Sequence, residues 1–285
     1  MQRHAQRRTN CSASYQSGNR QMTVRVGQVE FGGMDFVVIA GPCAVESERQ
    51  ILGTAEAVAQ AGAKMLRGGS FKPRTSPYAF QGLGADGLKL LARAGRETGL
   101  PVVTEVMSDT QVDLVAEYAD MLQIGSRSMG NEALLAAAAA SGRPILLKRG
   151  MSATVEEMAE AAESMRQYGN SRIVLCERGI RTFGSATRNT CDIVAVPLLQ
   201  RLTGLPVIVD PSHATGVREL IPPVARAAVA IGADGLIIEV HPDPDRALSD
   251  GAQSLSFQEF RELMLDIQPF AGIWSERRKG VCVCA

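Results

Sequence analysis

Two groups of side chains in this sequence have the chemistry to form a reactive site. Cys43, His213, Glu239 and Asp250 offer a thiolate, an imidazole and two carboxylates, a mixed donor set suited to a divalent transition metal. They lie far apart along the chain, so spacing alone does not assemble them. A buried cysteine and an isolated histidine account for the same residues about equally well. The second group is Arg67, Lys72, Arg74, Arg127, Lys148 and Arg178. Guanidinium forks bind phosphate and carboxylate bidentately, so these residues predict a pocket for a small substrate with several anionic groups. Thirty Lys and Arg balance thirty Asp and Glu, which leaves a nucleic-acid partner without global electrostatic support.

The elements that would position these groups follow a regular rhythm. Short apolar runs occur at 36–40, 64–66, 102–104, 121–124, 145–147, 173–175, 207–209 and 236–238. Nearly continuous rather than alternating, they read as parallel strands buried on both faces. Helical spacing fills the gaps. Residues 48–61 place Ile51, Ala55, Val58 and Ala59 on one face, and 154–168 opens with Thr154 and Glu157, a capping-box pair. Gly62, Gly99, Gly142, Gly169, Gly204 and Gly232 read as helix ends, with Pro101, Pro144 and Pro206 reopening the chain as strand. Eight βα units in a row predict a closed (β/α)8 TIM barrel more readily than an open doubly wound sheet. Residues 24–26 and 28–31, turning near Gly27, suggest a small hairpin beneath it.

The expected organisation is a disordered basic tail over 1–22, a catalytic barrel over 23–270 and a C-terminal tail over 271–285. The first 29 residues lack Asp and Glu but carry Arg3, Arg7, Arg8, Arg20 and Arg25. With no apolar face or h-region, that segment reads as a tail rather than a transit peptide. His4 lies in it and receives no role. Six cysteines in 285 residues do not form a disulfide framework, and those in apolar runs (Cys43, Cys176, Cys191) suit a reduced, cytoplasmic protein. No run of 18 apolar residues exists to span a membrane.

A barrel of this kind builds its site at the C-terminal strand ends. The runs lead in turn into Gly41-Pro42-Cys43, Arg67-Gly68-Gly69, Glu105, Gly125-Ser126-Arg127, Lys148-Arg149-Gly150, Cys176-Glu177-Arg178, Asp210-Pro211-Ser212-His213 and Glu239-Val240-His241. Solvated loop charges alone would decorate the strand starts equally, yet the starts are mainly Pro, Gly and apolar residues. The charges therefore mark one functional rim. Glu177 is expected to orient or pair with Arg178. His241 is expected to form hydrogen bonds rather than ligate, and Cys282 and Cys284 to belong to a frayed end.

The ordered set of segments resembles the 3-deoxy-D-arabino-heptulosonate 7-phosphate (DAHP) synthases, in their short bacterial and archaeal type I-beta form. The resemblance rests on residues 40–47 (AGPCAVES), 66–78 (LRGGSFKPRTSPY), 123–127 (QIGSR), 147–150 (LKRG), 175–183 (LCERGIRTF), 210–213 (DPSH) and 238–255 (IEVHPDPDRALSDGAQSL). It implies one divalent metal ion, such as Mn, Co, Fe or Zn, held by Cys43, His213, Glu239 and Asp250. Phosphoenolpyruvate would be bound by Arg67, Lys72, Arg127, Lys148 and Arg178, with backbone contacts from Gly125 and Ser126. The run Lys72-Pro73-Arg74-Thr75-Ser76 would hold erythrose 4-phosphate, with Arg74 and Thr75 facing its phosphate. Glu105 matches a rim carboxylate that orients a water, and Lys72, Glu105 and His213 are the candidates for proton transfer.

The implied reaction is an aldol-type condensation of these two substrates with water, the first step of the shikimate pathway. One rival is a 3-deoxy-octulosonate 8-phosphate synthase using arabinose 5-phosphate; that family carries a Lys-Ala-Asn-Arg-Ser-type run where this chain has 72–76. A second is a metal- or anion-binding barrel without catalysis. Ser126 departs from the alanine usual in the family. The family often carries a fused regulatory domain, and the segments flanking the barrel are too short for one. Tyr or Phe is therefore not expected to inhibit through such a module. The resemblance further implies a homodimer or homotetramer, and leaves room for a separate chorismate mutase as partner.

Overall fold

Eight parallel strands close into a barrel in the computed structural model, which describes residues 22–72, 78 and 80–282. An antiparallel hairpin, β1 (Val24–Val26) and β2 (Val29–Phe31), precedes it. The staves are β3 (Val37–Gly41), β4 (Met65–Arg67), β5 (Val102–Val106), β6 (Met121–Ile124), β7 (Ile145–Lys148), β8 (Ile173–Glu177), β9 (Val207–Val209) and β10 (Gly235–Glu239). Each pairs with its neighbours in sequence. Parallel pairing of β10 with β3, from Gly235 opposite Val37 to Glu239 opposite Gly41, closes the ring.

Helices α1 (Glu48–Gln60), α2 (Gly84–Thr98), α3 (Val112–Tyr118), α4 (Glu132–Ala140), α5 (Val155–Gln167), α6 (Ala195–Thr203), the one-turn α7 (Pro211–Thr215), α8 (Ile221–Ile231) and α9 (Phe257–Cys282) pack outside. Local chemistry sets their ends. Ser47 accepts from Gln50 N at the start of α1, and Thr154 with Glu157 forms the expected capping box on α5. Gly99, Gly204 and Gly232 end α2, α6 and α8 in the left-handed region.

Strand alternation divides the core in two. Val38, Ala40, Leu66, Leu122, Ile124, Leu147 and Leu175 face the helices. Val37, Ile39, Met65, Val103, Met121, Leu146, Val174, Cys176, Ile208 and Ile237 fill the barrel, and Val24, Val26, Val29 and Phe31 of the hairpin close its base. The interior is therefore a packed plug, and substrates can reach it only at the rim.

The terminal boundaries differ from expectation. Met22 N–H already donates to Gly204 O at 2.8 Å, while residues 1–21 lie outside the described residues. The tail expected from residue 271 is helical as far as Cys282, because α9 runs 26 residues and passes through Pro269. Trp274 is buried in a T-shaped contact with Phe36, ring centroids 5.6 Å apart. Arg278 stacks over Trp274, donates to Gly32 O at 2.5 Å and pairs with the carboxylate of Asp234. Those contacts turn an apparent tail into a strap across the barrel base. Cys284 lies outside the described residues.

Candidate active site

The barrel's interior residues point to the site by simple alternation. Side chains two positions further along the same strand face the same side. Advancing from Met65, Val103, Met121, Leu146, Cys176, Ile208 and Ile237 gives Arg67, Glu105, Gln123, Lys148, Arg178, Asp210 and Glu239. A layer of apolar side chains thus gives way, one step up, to a layer of charged and amide groups. At the eighth strand the step from Ile39 reaches Gly41, where φ is 151° and a Cβ would sit 2.1 Å from Arg67 O. A Cβ on Gly125 would meet Glu105 Oε1 at 2.0 Å. Both glycines leave room for functional neighbours.

One corner of this layer gathers metal-type donors. Cys43, Glu239 and Asp250 each bring a ligand atom within 4.8 Å of the others. His213 stands beside them, with Nε2 3.5 Å from Glu239 Oε1 and Nδ1 2.8 Å from Asp210 Oδ2, the latter off-line for a hydrogen bond. Each has a local reason to be there. Asp210 caps α7 by accepting from His213 N at 2.9 Å, which fixes the histidine one turn above β9. Ser212 Oγ accepts from Glu239 N at 3.0 Å, and Gln253 Nε2 donates to Glu239 Oε2 at 2.6 Å. Asp250, with φ 54°, is the one described non-glycine residue in the left-handed region, a conformation that aspartate tolerates.

Electrostatics tune that corner. Burial pushes the Cys43 thiol up to about 12, so it is protonated until something replaces its proton. Lys72 Nζ lies 2.8 Å from Cys43 Sγ and 3.2 Å from Cys43 O, while Asp250 Oδ2 is 3.0 Å from the sulfur. Burial alone would raise Glu239, but the charges of His213, Arg67 and Lys72 outweigh it and hold the carboxyl near 2. Burial also lowers His213, which keeps it neutral at pH 7, so Arg67, whose Nη1 is 2.5 Å from Glu239 Oε1, is the lasting counter-charge. Asp210 is likewise drawn well below the carboxylate range, against burial, by His213 and Lys148, which donates to it.

The other corner is cationic. Arg67, Lys72, Glu105, Gln123, Gly125, Ser126, Arg127, Lys148, Arg178, His213 and Asp250, with Met151 and Arg188, line one cavity of about 120 Å³. Arg178 is 4 % exposed, yet among the described residues its Nε and Nη1 have no partner, and neither does Nε of the similarly buried Arg67. Burial lowers Arg178. Donors desolvated in this way are costly to leave unmet, and an anionic ligand would meet them.

Apart from Pro73, Arg74, Thr75 and Ser76, which lie outside the described residues, every expected site residue sits in this cavity or its metal-type corner. Glu177 does not face Arg178. Strand alternation turns it outward, where it accepts from Arg149 Nη1 at 2.9 Å and from Gly179 N at 2.6 Å. His241 does form hydrogen bonds, to Glu46 and to the backbone of Asp243. Motif and spacing give no role to Gln123, Asp210, Arg188 or Gln253, which the fold brings to the site. The two-residue step from interior positions would have found Gln123 and Asp210. Arg188, which donates to Gln253 Oε1 at 2.7 Å and approaches Asp250 Oδ1 at 3.5 Å, comes from a long loop with no period to reveal it.

The profile of the DAHP synthetase I family matches residues 14–269. The chain belongs to the DAHP synthetase I family. It is 50% identical over 248 residues to a phospho-2-dehydro-3-deoxyheptonate aldolase of Thermotoga maritima, covering 87% of this chain and 73% of that protein. A crystal structure of a phospho-2-dehydro-3-deoxyheptonate aldolase (DAHP synthase) from T. maritima superposes with a TM-score of 0.88 at 48% identity, covering 90% of this chain and 75% of the other. A truncated form of the T. maritima 3-deoxy-D-arabino-heptulosonate 7-phosphate synthase gives 0.84 at 44% identity, over 90% and 94% of the two chains. A 2-dehydro-3-deoxyphosphooctonate aldolase of Rhodopseudomonas palustris is 36% identical over 276 residues, 90% of this chain and 95% of that one. Within the DAHP synthetase I family, this chain is thus more similar to the heptulosonate enzyme than to the octulosonate one.

Proposed function

We propose that this chain condenses phosphoenolpyruvate with erythrose 4-phosphate and water, giving 3-deoxy-D-arabino-heptulosonate 7-phosphate and phosphate. The observation that carries the reading is the pair of buried guanidiniums, Arg67 and Arg178, with N–H groups unmet among the described residues, beside a corner of thiol, imidazole and carboxylates. Phosphoenolpyruvate carries two anionic groups for such donors, both on C2, and a nucleophilic methylene carbon, C3, beside them. The identity to the Thermotoga relative supports the four-carbon acceptor.

In this reading Arg67, Lys72, Arg127, Lys148 and Arg178 bind the carboxylate and phosphate of phosphoenolpyruvate, with Gly125 and Ser126 lining the same wall. Cys43, His213, Glu239 and Asp250 form a donor set that fits a divalent ion such as Mn, Co, Fe or Zn. Such an ion would supply Lewis acidity at the aldehyde oxygen of the acceptor. C3 of phosphoenolpyruvate forms a bond to the aldehyde carbon as that oxygen takes up a proton, and positive character develops at C2. Water adds at C2 with loss of a proton, and the phosphohemiketal then releases phosphate by C–O cleavage. The fixed cations stabilise charge throughout without reorganising. Lys72 Nζ, His213 and Glu105 border the cavity and are the groups available to move the protons. Glu105, which accepts from Gln123 Nε2 at 3.4 Å, would orient the water. The run 73–76 would hold the phosphate of erythrose 4-phosphate through Arg74 and Thr75.

Phosphate release by metal-depleted protein, before and after adding manganese, tests the reading with erythrose 4-phosphate and arabinose 5-phosphate as competing acceptors. Manganese-dependent turnover favouring the four-carbon sugar is expected. Preference for the five-carbon sugar would move the assignment to octulosonate synthesis, and silence with both, in folded metal-loaded protein, would favour a non-catalytic barrel. Bridging ¹⁸O in phosphoenolpyruvate should leave with phosphate.

A further inference from the structure

Two of the candidate metal ligands come from segments some two hundred residues apart, which meet through Cys43 Sγ itself, 3.2 Å from Ser249 Oγ and 3.0 Å from Asp250 Oδ2, and through one largely buried carboxylate. Cys43 opens a short segment that is firmly held. Gly69 N donates to Cys43 O at 3.1 Å, Val45 N donates to Gly69 O at 2.9 Å, and the Gln50 side chain bonds both Ala44 O and Glu46 N. Asp250 lies in the loop between β10 and α9, which is secured mainly by its own tight turns. From the first segment Glu46 reaches across. Its Oε1 accepts from Leu248 N at 2.8 Å, two residues before Asp250, and its Oε2 lies 3.2 Å from His241 Nε2. Glu46 is only 11 % exposed, although Leu248 beside it is largely in solvent.

His241 completes the clamp. His241 Nδ1 lies 3.1 Å from Asp243 N and 2.8 Å from Asp243 O, so the backbone there can meet it as acceptor or as donor. With a hydrogen on Nε2, His241 donates to Glu46. The carboxylate thus holds the loop at its root, through His241, and near its tip, through Leu248. Arg218, bonded to Gly251 O at 3.1 Å, and Arg188, near Asp250, also restrain the loop. Neither comes from the segment that bears Cys43.

We infer that Glu46 is a positioning residue which, with His241, sets the spacing between Cys43 and Asp250 and so tunes metal affinity rather than substrate binding. The inference rests on the reading of those two residues as ligands. Outer-shell partners of metal ligands typically carry a 10–100-fold effect on affinity. Cobalt(II) bound to a thiolate absorbs in the near ultraviolet, which gives a titration independent of turnover. Glu46→Ala is expected to weaken cobalt binding by about 10–100-fold, with phosphoenolpyruvate affinity in metal-free protein unchanged. Glu46→Gln should recover much of the loss, because its amide can accept from Leu248 N and donate to the other tautomer of His241. His241→Ala, which cuts one arm only, should fall between and stands in if Glu46→Ala does not fold. Unchanged cobalt affinity in these variants would overturn the inference, as would parallel losses of phosphoenolpyruvate affinity and thermal stability. Absence of the absorption in the wild type, or its survival in Cys43→Ser, would instead sink the ligand reading itself.

Discussion

A buried guanidinium with unmet N–H groups destabilises the empty protein and favours whatever anion meets it. Arg178 is in that position, and truncating it separates the two effects. Charge-assisted hydrogen bonds contribute about 1.5–3 kcal/mol, so Arg178→Ala should raise the KM for phosphoenolpyruvate by roughly 10–150-fold. Thermal unfolding of the ligand-free variant should be unchanged or shifted upward, since a poorly solvated charge is gone. A lower midpoint would mean that Arg178 is a structural residue. Asp210 offers a pH test. Its carboxyl titrates well below the unfolded value of about 3.9, so its contribution is fully present above about pH 4. That contribution is lost as pH falls through the lower, folded value. Metal-free protein should therefore weaken on acidification below pH 4, and Asp210→Asn should show a flatter acid limb in urea unfolding measured across that range. Identical limbs would refute the assignment.

Elements deliver these residues, and alternation explains which of them the sequence made legible. Apolar runs bounded by glycine and proline marked every stave, and the charge at their far ends marked the rim. Gln123 received no role because an amide carries no charge, and Asp210, though named on the rim, received none because its partner Lys148 lies on a strand remote in sequence. Glu177 was misjudged because adjacency in sequence suggested a contact that a strand forbids: neighbours face opposite sides. The last helix was missed for a different reason. Its ordering depends on Asp234, Phe36 and the Gly32 and Gly33 carbonyls, all remote in sequence. Arg278→Ala removes the guanidinium from a fully buried carboxylate and should destabilise the protein by about 3 kcal/mol in urea unfolding, with kcat intact, because the strap lies opposite the rim. A stable variant would leave α9 as mere surface packing.

On the scale of the whole molecule, the donor corner bridges the two ends of the barrel. Cys43 follows the first stave, while Glu239 ends the last and Asp250 lies in the loop after it, so an ion bound there would hold the closing seam. Binding to the folded state alone at a hundred times Kd stabilises by about 2.7 kcal/mol. For a chain of this size that raises the unfolding midpoint by roughly 5–10 °C. Calorimetry of chelator-treated and manganese-loaded protein should resolve this, and coincident transitions would argue against the ion as a seam.

The same layout has a consequence for how the protein is made. Cys43 leaves the ribosome 207 residues ahead of Asp250, an interval of about 10–40 s at roughly 5–20 residues per second. Until the last stave emerges, the barrel lacks the partner that closes it, and the thiol has none of its carboxylate companions. Its protonation by burial requires a closed barrel, so through that interval it is an ordinary, accessible cysteine. Metal capture would thus come at the end of synthesis, and prematurely terminated chains would be unable to hold the ion.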